Sequence, residues 1–288
     1  MKKAFIYGSA QLGIQIAWHV SKDYEILGFI DTDSRKYTSN SGVYIEIDDK
    51  NYMIYSPDIL CNTQIDKVFI GTEVDIYIKQ IKNTLLKYGI GDDEIDLSLT
   101  FIPYYARLNF IKIISLEFQN KNIMGSVAEL GVFRGKTAKE INRIFKNDIF
   151  YLFDTFEGFN EKDINEEIGL AKQANINDFS NTSLNFVKKQ MPYLDKCCFV
   201  EGYFPETIVK IPQDEKFKFV NIDMDLYQPI LEGLVYFYPK LVKDGVILIH
   251  DYFHPYYTGA KRAVDEFCKN NNIEIVPIGD AFSVAIFK

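Results

Sequence analysis

The sequence predicts an α/β chain built of two successive parallel-sheet units, a smaller one over residues 1–98 and a larger one over 99–288. Three observations carry this. Short apolar runs alternate with segments of helical spacing along the whole chain, the pattern of repeated strand–helix–strand units. Two of the runs end in a glycine turn that opens directly into a helical pattern, at residues 8–13 and 131–135. Between the two alternations lies a dense apolar stretch, residues 101–118, bracketed by Pro103 and by Gln119-Asn120-Lys121-Asn122.

Composition narrows the classes. At 47% apolar and 25% charged residues the chain has enough apolar material for a sizeable core. A formal net charge of -8 argues against nucleic-acid binding through a basic surface. No run of about 18 apolar residues is present, so no membrane-spanning helix is expected. The start, Met1-Lys2-Lys3-Ala4-Phe5-Ile6-Tyr7-Gly8, has the outline of a signal peptide. Its apolar run is broken by Gly8, Ser9, Gln11 and Gly13 and leads into Trp18-His19, not a small-residue cleavage site, which points to a cytoplasmic protein. Cys61, Cys197, Cys198 and Cys268 have no metal-ligand spacing and read as reduced thiols.

In the first unit, a strand over 3–7, a turn over 8–13 and a helix over 13–21 precede a strand over 26–31 that ends in Asp31. Segments 43–47 and 52–55 flank Asp48-Asp49-Lys50-Asn51 as a hairpin. Ser56-Pro57 offers an N-cap with proline at the first helical position. A strand over 66–71 and a helix over 74–88 close the unit. The first turn reads Gly-x-Ala-x-x-Gly, one residue from the dinucleotide fingerprint, with Asp31 where a ribose ligand would sit. A nucleotide site at Gly8, Gly13 and Asp31 and a purely structural Rossmann-like module both stand open.

Residues 101–118 leave little polar face, so the helix they predict is expected to be buried between domains or subunits, which leaves a homo-oligomer open. In the second unit, strands are expected near 126–131, 149–154, 197–201, 217–223 and 245–250. One helix between them is opened by Pro229, and another carries Ala260, Ala263, Val264, Phe267 and Cys268 at helical spacing. Segments 273–277 and 282–287 flank Ile278-Gly279-Asp280-Ala281 as a closing hairpin. Five parallel strands with a terminal antiparallel pair is the architecture expected of a class I methyltransferase Rossmann-like domain, here preceded by the smaller Rossmann-like α/β domain; it is not unique to that class, and periodicity alone gives only α/β.

The first strand of this unit runs from Val127 to a turn with glycines at 131 and 135. Thr137 and Glu140 then stand as a capping box before Ala138, Ile141, Ile144 and Phe145. The glycines would admit a ligand close to the backbone, and Asp154, about 20 residues on, would meet ribose hydroxyls. A ligand-free βαβ unit is the alternative for these residues alone. Segment 157–183 interrupts the alternation; it is read as a lid over the carboxyl end of the sheet, with a disordered insertion as the alternative.

Ligands of parallel sheets bind at the carboxyl ends of the strands. Two ends here are acidic, Ile222-Asp223-Met224-Asp225 and Ile249-His250-Asp251. Alternation puts Asp223 and Asp225 on one side, and adjacency of the strands would bring Asp251 and His250 alongside. Clustered carboxylates repel one another, and a hard divalent cation such as Mg²⁺ relieves that repulsion. Such an ion would lower the pKa of a bound hydroxyl, whose proton a carboxylate such as Asp223, or His250, would take. Aspartates that merely cap the following helices are the bland alternative.

Taken in order, Val127-Ala128-Glu129-Leu130-Gly131-Val132-Phe133-Arg134-Gly135, Tyr151-Leu152-Phe153-Asp154-Thr155-Phe156-Glu157-Gly158-Phe159, Gly202-Tyr203-Phe204-Pro205-Glu206-Thr207, Ile222-Asp223-Met224-Asp225-Leu226-Tyr227-Gln228-Pro229 and His250-Asp251-Tyr252 form a recognisable set. The chain resembles the macrocin O-methyltransferase (TylF/MycF-type) family of S-adenosylmethionine- and Mg²⁺-dependent sugar O-methyltransferases. The resemblance implies that Glu129, Gly131 and Gly135 line the methionine and ribose end of the cofactor. It puts Asp154 on the ribose and Glu201, Gly202 and Tyr203 near the adenine. Asp223, Asp225 and Asp251 match the metal and catalytic carboxylates, and the acceptor would be a sugar or nucleotide-sugar in bacterial glycan or natural-product biosynthesis, the added N-terminal domain pointing to the former. Antibiotic-pathway members tend to carry Asp-Asp where this chain has His250-Asp251, so ligand, base and supporting residue all stay open for His250. A metal-dependent glycosyltransferase using Asp-x-Asp and a non-catalytic nucleotide-binding scaffold are the rivals.

Overall fold

The computed structural model describes residues 1–37, 44–255 and 257–288. The chain divides into two units, Met1–Tyr105 and Ala106–Lys288. In the first, β1 (Lys2–Tyr7) and β2 (Tyr24–Ile30) run parallel and are joined by α1 (Gln11–Val20). A hairpin of β3 (Tyr44–Ile47) and β4 (Lys50–Tyr55) adds beside β2. Its turn is tighter than the four residues expected: Asp48 and Asp49 both have positive φ, 48° and 62°, so the second strand starts at Lys50. Two left-handed residues match the right-handed twist of the flanking strands. Residue 43, expected to open this hairpin, lies outside the described residues. β5 (Lys67–Ile70), α2 (Asp75–Lys87) and β6 (Ile95–Asp96) complete a sheet of order β3-β4-β2-β1-β5-β6. Ile78, Ile81 and Leu85 of α2, spaced three and four apart, pack on Phe5, Val68 and Ile70.

The division between the units falls in α3 (Ile102–Asn120). Ile111 and Phe118 of this helix enter the core of the second unit, while the apolar Ile113 and Leu116 are 59% and 44% exposed. The second unit follows with β7 (Ser126–Leu130), α4 (Lys136–Ile144) and β8 (Phe150–Asp154). Short helices α5 (Glu161–Asn165) and α6 (Leu184–Lys188) precede β9 (Cys197–Glu201). Then come β10 (Phe217–Ile222), α7 (Tyr227–Phe237), β11 (Leu241–Ile249), α8 (Gly259–Asn271), β12 (Val276–Pro277) and β13 (Val284–Phe287). The sheet order is β12-β13-β11-β10-β7-β8-β9, with β13 antiparallel to β11 and β12 and the rest parallel.

This order positions the site. From β7 the chain winds to β8 and β9 on one side, then returns to lay β10 and β11 on the other. Helices leaving β7 and β10 therefore diverge, and the crevice where an open α/β sheet binds its ligand lies at the carboxyl ends of these two strands. Both strands are buried at every residue, as expected of central parallel strands covered on both faces. The burial extends to Lys218, whose ammonium lies 2.9 Å from the Asp148 carboxylate.

Three local expectations are revised. The helix after the glycine turn starts at Lys136, with Gly135 as its left-handed N-cap (φ 76°), so Thr137 already lies inside the helix and the capping box does not form. α7 starts two residues before Pro229 because the buried carboxylate of Glu167 accepts the Tyr227 N–H and serves as its cap. β11 starts at Leu241: its exposed Lys243-Asp244 read as loop, but the left-handed Asp244 (φ 63°) accompanies a register shift within a continuing strand.

Candidate active site

Each of the two central strands hands its last hydrogen bonds to the loops beyond it. Asp223 N–H donates to Leu130 O (2.8 Å), and His250 N–H to Ile222 O (2.9 Å). The ladder thereby continues one residue past β10 and β11 and sets Asp223 beside His250. Beyond this point the strands end, and Asp225 and Asp251 take left-handed backbone at φ 59° and 60°. Aspartate tolerates that region better than most residues, and such strain gathers at functional turns.

The donor atoms of Asp223, His250 and Asp251 all lie within 4.8 Å of one another, a grouping able to hold a metal ion. His250 Nδ1 is 3.0 Å from Asp223 Oδ1 and 2.9 Å from Asp251 Oδ2. The imidazole stacks on Phe282, with centroids 5.2 Å apart and planes at 16°. Arg107 of α3 reaches the same group: its Nη1 is 3.8 Å from Asp223 Oδ2, and its Nε is 3.6 Å from Asp280 Oδ2. Asp280 also accepts the Phe282 and Ser283 N–H groups and the Ser283 hydroxyl, which fixes the turn that carries Phe282.

Charge at this cluster is strongly perturbed. Burial, then the negative charges of Asp251 and Asp223, push the Asp225 carboxyl well above the usual range. Burial would also raise Asp251, but the charge of His250 heads the effects that hold it low. For His250, burial and Arg107 act to lower the pKa, and the two carboxylates outweigh them, holding it well above the ordinary value. The raised carboxyl of Asp225 and the raised imidazole of His250 both reflect the negative charge gathered in this buried cluster.

The glycine turn serves this cluster directly. A Cβ on Gly131 would collide with the carbonyl oxygen of Asp223, so the glycine lets the Asp223 loop pass against the turn. At Gly135 a Cβ would meet Val187 at 3.0 Å, below α6. Asp154 closes the turn itself: Oδ2 accepts the Val132 and Phe133 N–H groups and Oδ1 that of Phe156, each at 2.7 Å. Glu129 is 1% exposed; Oε1 accepts from Asn221 at 2.9 Å, and Oε2 is a buried oxygen with no hydrogen-bond partner among the described residues. Burial, then Asp223, holds its carboxyl well above the usual value. Glu201 pairs in register with Asp154, and Gly202 N–H donates to Asp154 O, so Glu201, Gly202 and Tyr203 arrive beside the turn.

The segment after β8 is tied over the turn. Arg134 donates to Asn181 O, Gln190 to Arg134 O and Thr182 to Phe133 O, while Phe179 packs its ring edge on Phe133. Tyr203 donates to the buried Asp163 of α5 at 2.7 Å, and burial raises that carboxyl to about 6. Sequence reasoning did not single out Arg107, Glu167, Asp280 or Phe282. Arg107 was legible as the one cation between Phe101 and Lys112 in an apolar helix; the other three carried no local signal.

The model of the macrocin-O-methyltransferase (TylF) family matches residues 63–287. The chain belongs to this family. It is an S-adenosylmethionine-dependent O-methyltransferase, which decides against the glycosyltransferase reading. Mycinamicin III 3''-O-methyltransferase of Micromonospora griseorubida is 26% identical over 204 residues, 65% of this chain and 78% of that protein. The solved O-methyltransferase NovP is 25% identical, covers 64% of this chain and 79% of its own, and superposes with a TM-score of 0.55. The calicheamicin methyltransferase CalS11, at 16% identity and a TM-score of 0.52 over 75% of this chain and 87% of its own, shares the fold. No helix among the described residues is long and apolar enough to cross a membrane.

Proposed function

We propose that this enzyme methylates a hydroxyl of a sugar or nucleotide-sugar, with a divalent cation held at the ends of β10 and β11. The convergence of Asp223, His250 and Asp251 carries the reading: two carboxylates and an imidazole meet at the topological switch point, against the turn that faces the methyl donor. The family relatives point the same way, since mycinamicin III 3''-O-methyltransferase and NovP are O-methyltransferases.

The residues fit both groups. Glu129 Oε2 is a buried acceptor in want of a donor, and the ammonium of a bound S-adenosylmethionine would supply one. Glu129, Gly131, Gly135, Asp154, Glu201, Gly202 and Tyr203 would surround the cofactor, with Asp154 holding the turn in shape through its three backbone bonds. When bound, the cofactor supplies an electrophilic methyl group on a sulfonium. The ion would sit among Asp223, His250 and Asp251 and acidify hydroxyls bound to it. Asp223, 24% exposed at its side chain, is the most open of the three and faces the acceptor. Its carboxylate orients the hydroxyl and receives its proton. Asp225, expected beside Asp223 as a ligand, has its carboxyl raised by burial and stands outside the Asp223–His250–Asp251 grouping. Segment 157–183, pinned through Asp163 and Glu167, excludes water from the crevice.

Four free cysteines fit a reducing cytoplasm. For the smaller unit, close backbone packing at Gly8 and Gly13 and the occupied carboxylate of Asp31 favour the structural reading of the module over a nucleotide site. The test is methyl transfer from S-adenosylmethionine to a panel of sugars and nucleotide-sugars, with and without EDTA. Methylated sugar that disappears on chelation and returns with a divalent ion is expected; turnover indifferent to EDTA would defeat the cation.

A further inference from the structure

We propose that His250 ligates the divalent cation directly through Nδ1, and that this nitrogen makes the site favour a first-row transition ion such as Mn²⁺ over Mg²⁺. The inference deepens the metal-bearing reading above and rests on it.

Four observations support a ligand in place of an ion-paired imidazolium. First, Nδ1 lies 3.0 Å from Asp223 Oδ1 and 2.9 Å from Asp251 Oδ2, yet both ring nitrogens are buried without a hydrogen-bond partner among the described residues. The contacts are short but not aligned as N–H donation to either oxygen. A buried polar atom left in that state is costly, and converging lone pairs are what a metal site offers. Second, the spacing suits an octahedral ion: bonds of about 2.1 Å set neighbouring ligand atoms about 3.0 Å apart. Third, the ring is held without using its nitrogens, by stacking on Phe282 and by the backbone bond from His250 N–H to Ile222 O. Fourth, Arg107 Nη1 lies on the Oδ2 side of Asp223, leaving Oδ1 to face His250, so the carboxylate presents one oxygen to the ion.

The donor set then decides the ion. Mg²⁺ takes oxygen ligands and gives up its water reluctantly. Imidazole suits transition ions, whose affinity for nitrogen-bearing sites exceeds that of the hard cations. Two carboxylate oxygens and one imidazole nitrogen make a mixed set of this kind, with the remaining positions open to water or to substrate hydroxyls.

Pulsed electron paramagnetic resonance of the full chain loaded with Mn²⁺ tests the ligand without reference to turnover. A ¹⁴N modulation from directly bound imidazole is expected, lost in His250→Asp and retained in His254→Gln, since His254 Nδ1 already accepts from Tyr257 N–H. Calorimetric titration with MnCl₂ and MgCl₂ tests the preference. The wild type should bind Mn²⁺ at least about tenfold more tightly than Mg²⁺, and His250→Asp should shrink that ratio by a similar factor. Bound Mn²⁺ without nitrogen coupling, or an unchanged ratio in His250→Asp, overturns the inference while leaving the metal site standing. Failure of the wild type to bind either ion overturns both. Should His250→Asp fail to fold, wild type with ¹⁵N-labelled histidine still decides: ¹⁴N modulation must give way to ¹⁵N.

Discussion

The two glycine turns of this chain look alike in sequence and do different work. Each joins a strand to a helix, and each is followed by a strand with an aspartate at its end or just past it. In the first unit the turn is closed on itself. A Cβ on Gly13 would collide with Gly8 O, and one on Gly8 would sit 2.8 Å from Gly71 O. Asp31 accepts from Ser9 N–H and hydroxyl, Asp33 N–H and the Lys36 ammonium. In the second unit Asp154 is equally occupied by backbone donors, but Gly131 yields its space to the Asp223 loop, and Glu129 keeps an oxygen without a partner. The glycine turn is in both cases a solution to close backbone packing. What sets the second turn apart is the neighbouring strand end, which delivers Asp223, His250 and Asp251 as a grouping able to hold a metal ion.

That contrast can be broken at several levels. The largest effect belongs to the strand end: Asp223→Asn should lower kcat/KM for methyl transfer by about 10³-fold or more, equivalent to about 4 kcal/mol of transition-state stabilisation. Equilibrium binding of S-adenosylmethionine should change little, and a variant that keeps wild-type turnover would remove Asp223 from the reaction.

Next, Gly131→Ala and Gly13→Ala should each destabilise its own unit by about 3 kcal/mol or more, because the added methyl meets backbone oxygen that cannot rotate away. Thermal melts followed by domain-specific proteolysis measure this. If Gly13→Ala is harmless, the first turn is looser than described and its glycines answer to a ligand instead.

The smallest effects are opposite pH slopes in the two units. Burial would raise Asp31, but Lys36 leads the partners that hold it below its ordinary value. Its stabilisation is therefore present above the unfolded carboxyl pKa of about 4 and is lost as pH falls through the lower folded value. Asp163 is raised to about 6 by burial, so the native state binds the extra proton and stability falls as pH rises from about 4 to 6. Asp31→Asn should lower the melting temperature at pH 7 and matter less in acid. Asp163→Asn should raise it by about 2–4 °C at pH 8 and leave it unchanged near pH 4. A shared sign for the two would mean that one of these carboxyls is misassigned.

Much of the molecule is legible without coordinates because its signals are local. Strand runs such as 150–153 and 246–249 are continuously apolar, and α8 announces itself through Ala260, Ala263, Val264, Phe267 and Cys268, all buried on one face. The order of motifs was enough for the family. A boundary shifted where a distant group intervenes: Glu167 caps α7 from 60 residues away.

The sequence alone determined the two α/β units, the glycine turns and the acidic strand ends, because periodicity and turn chemistry act between near neighbours. Only the tertiary structure decided which acids meet. Strand order β11-β10-β7 brings Asp251, Asp223 and Glu129 to one crevice from positions far apart in the chain. It also sets His250 between Asp223 and Asp251, while Asp225 turns through left-handed backbone toward Asp251. Arg107 and Asp280 join from opposite ends of the unit, where no spacing relates them. Charge and coordination act through space at a few ångströms, and the chain encodes that nearness only through the fold.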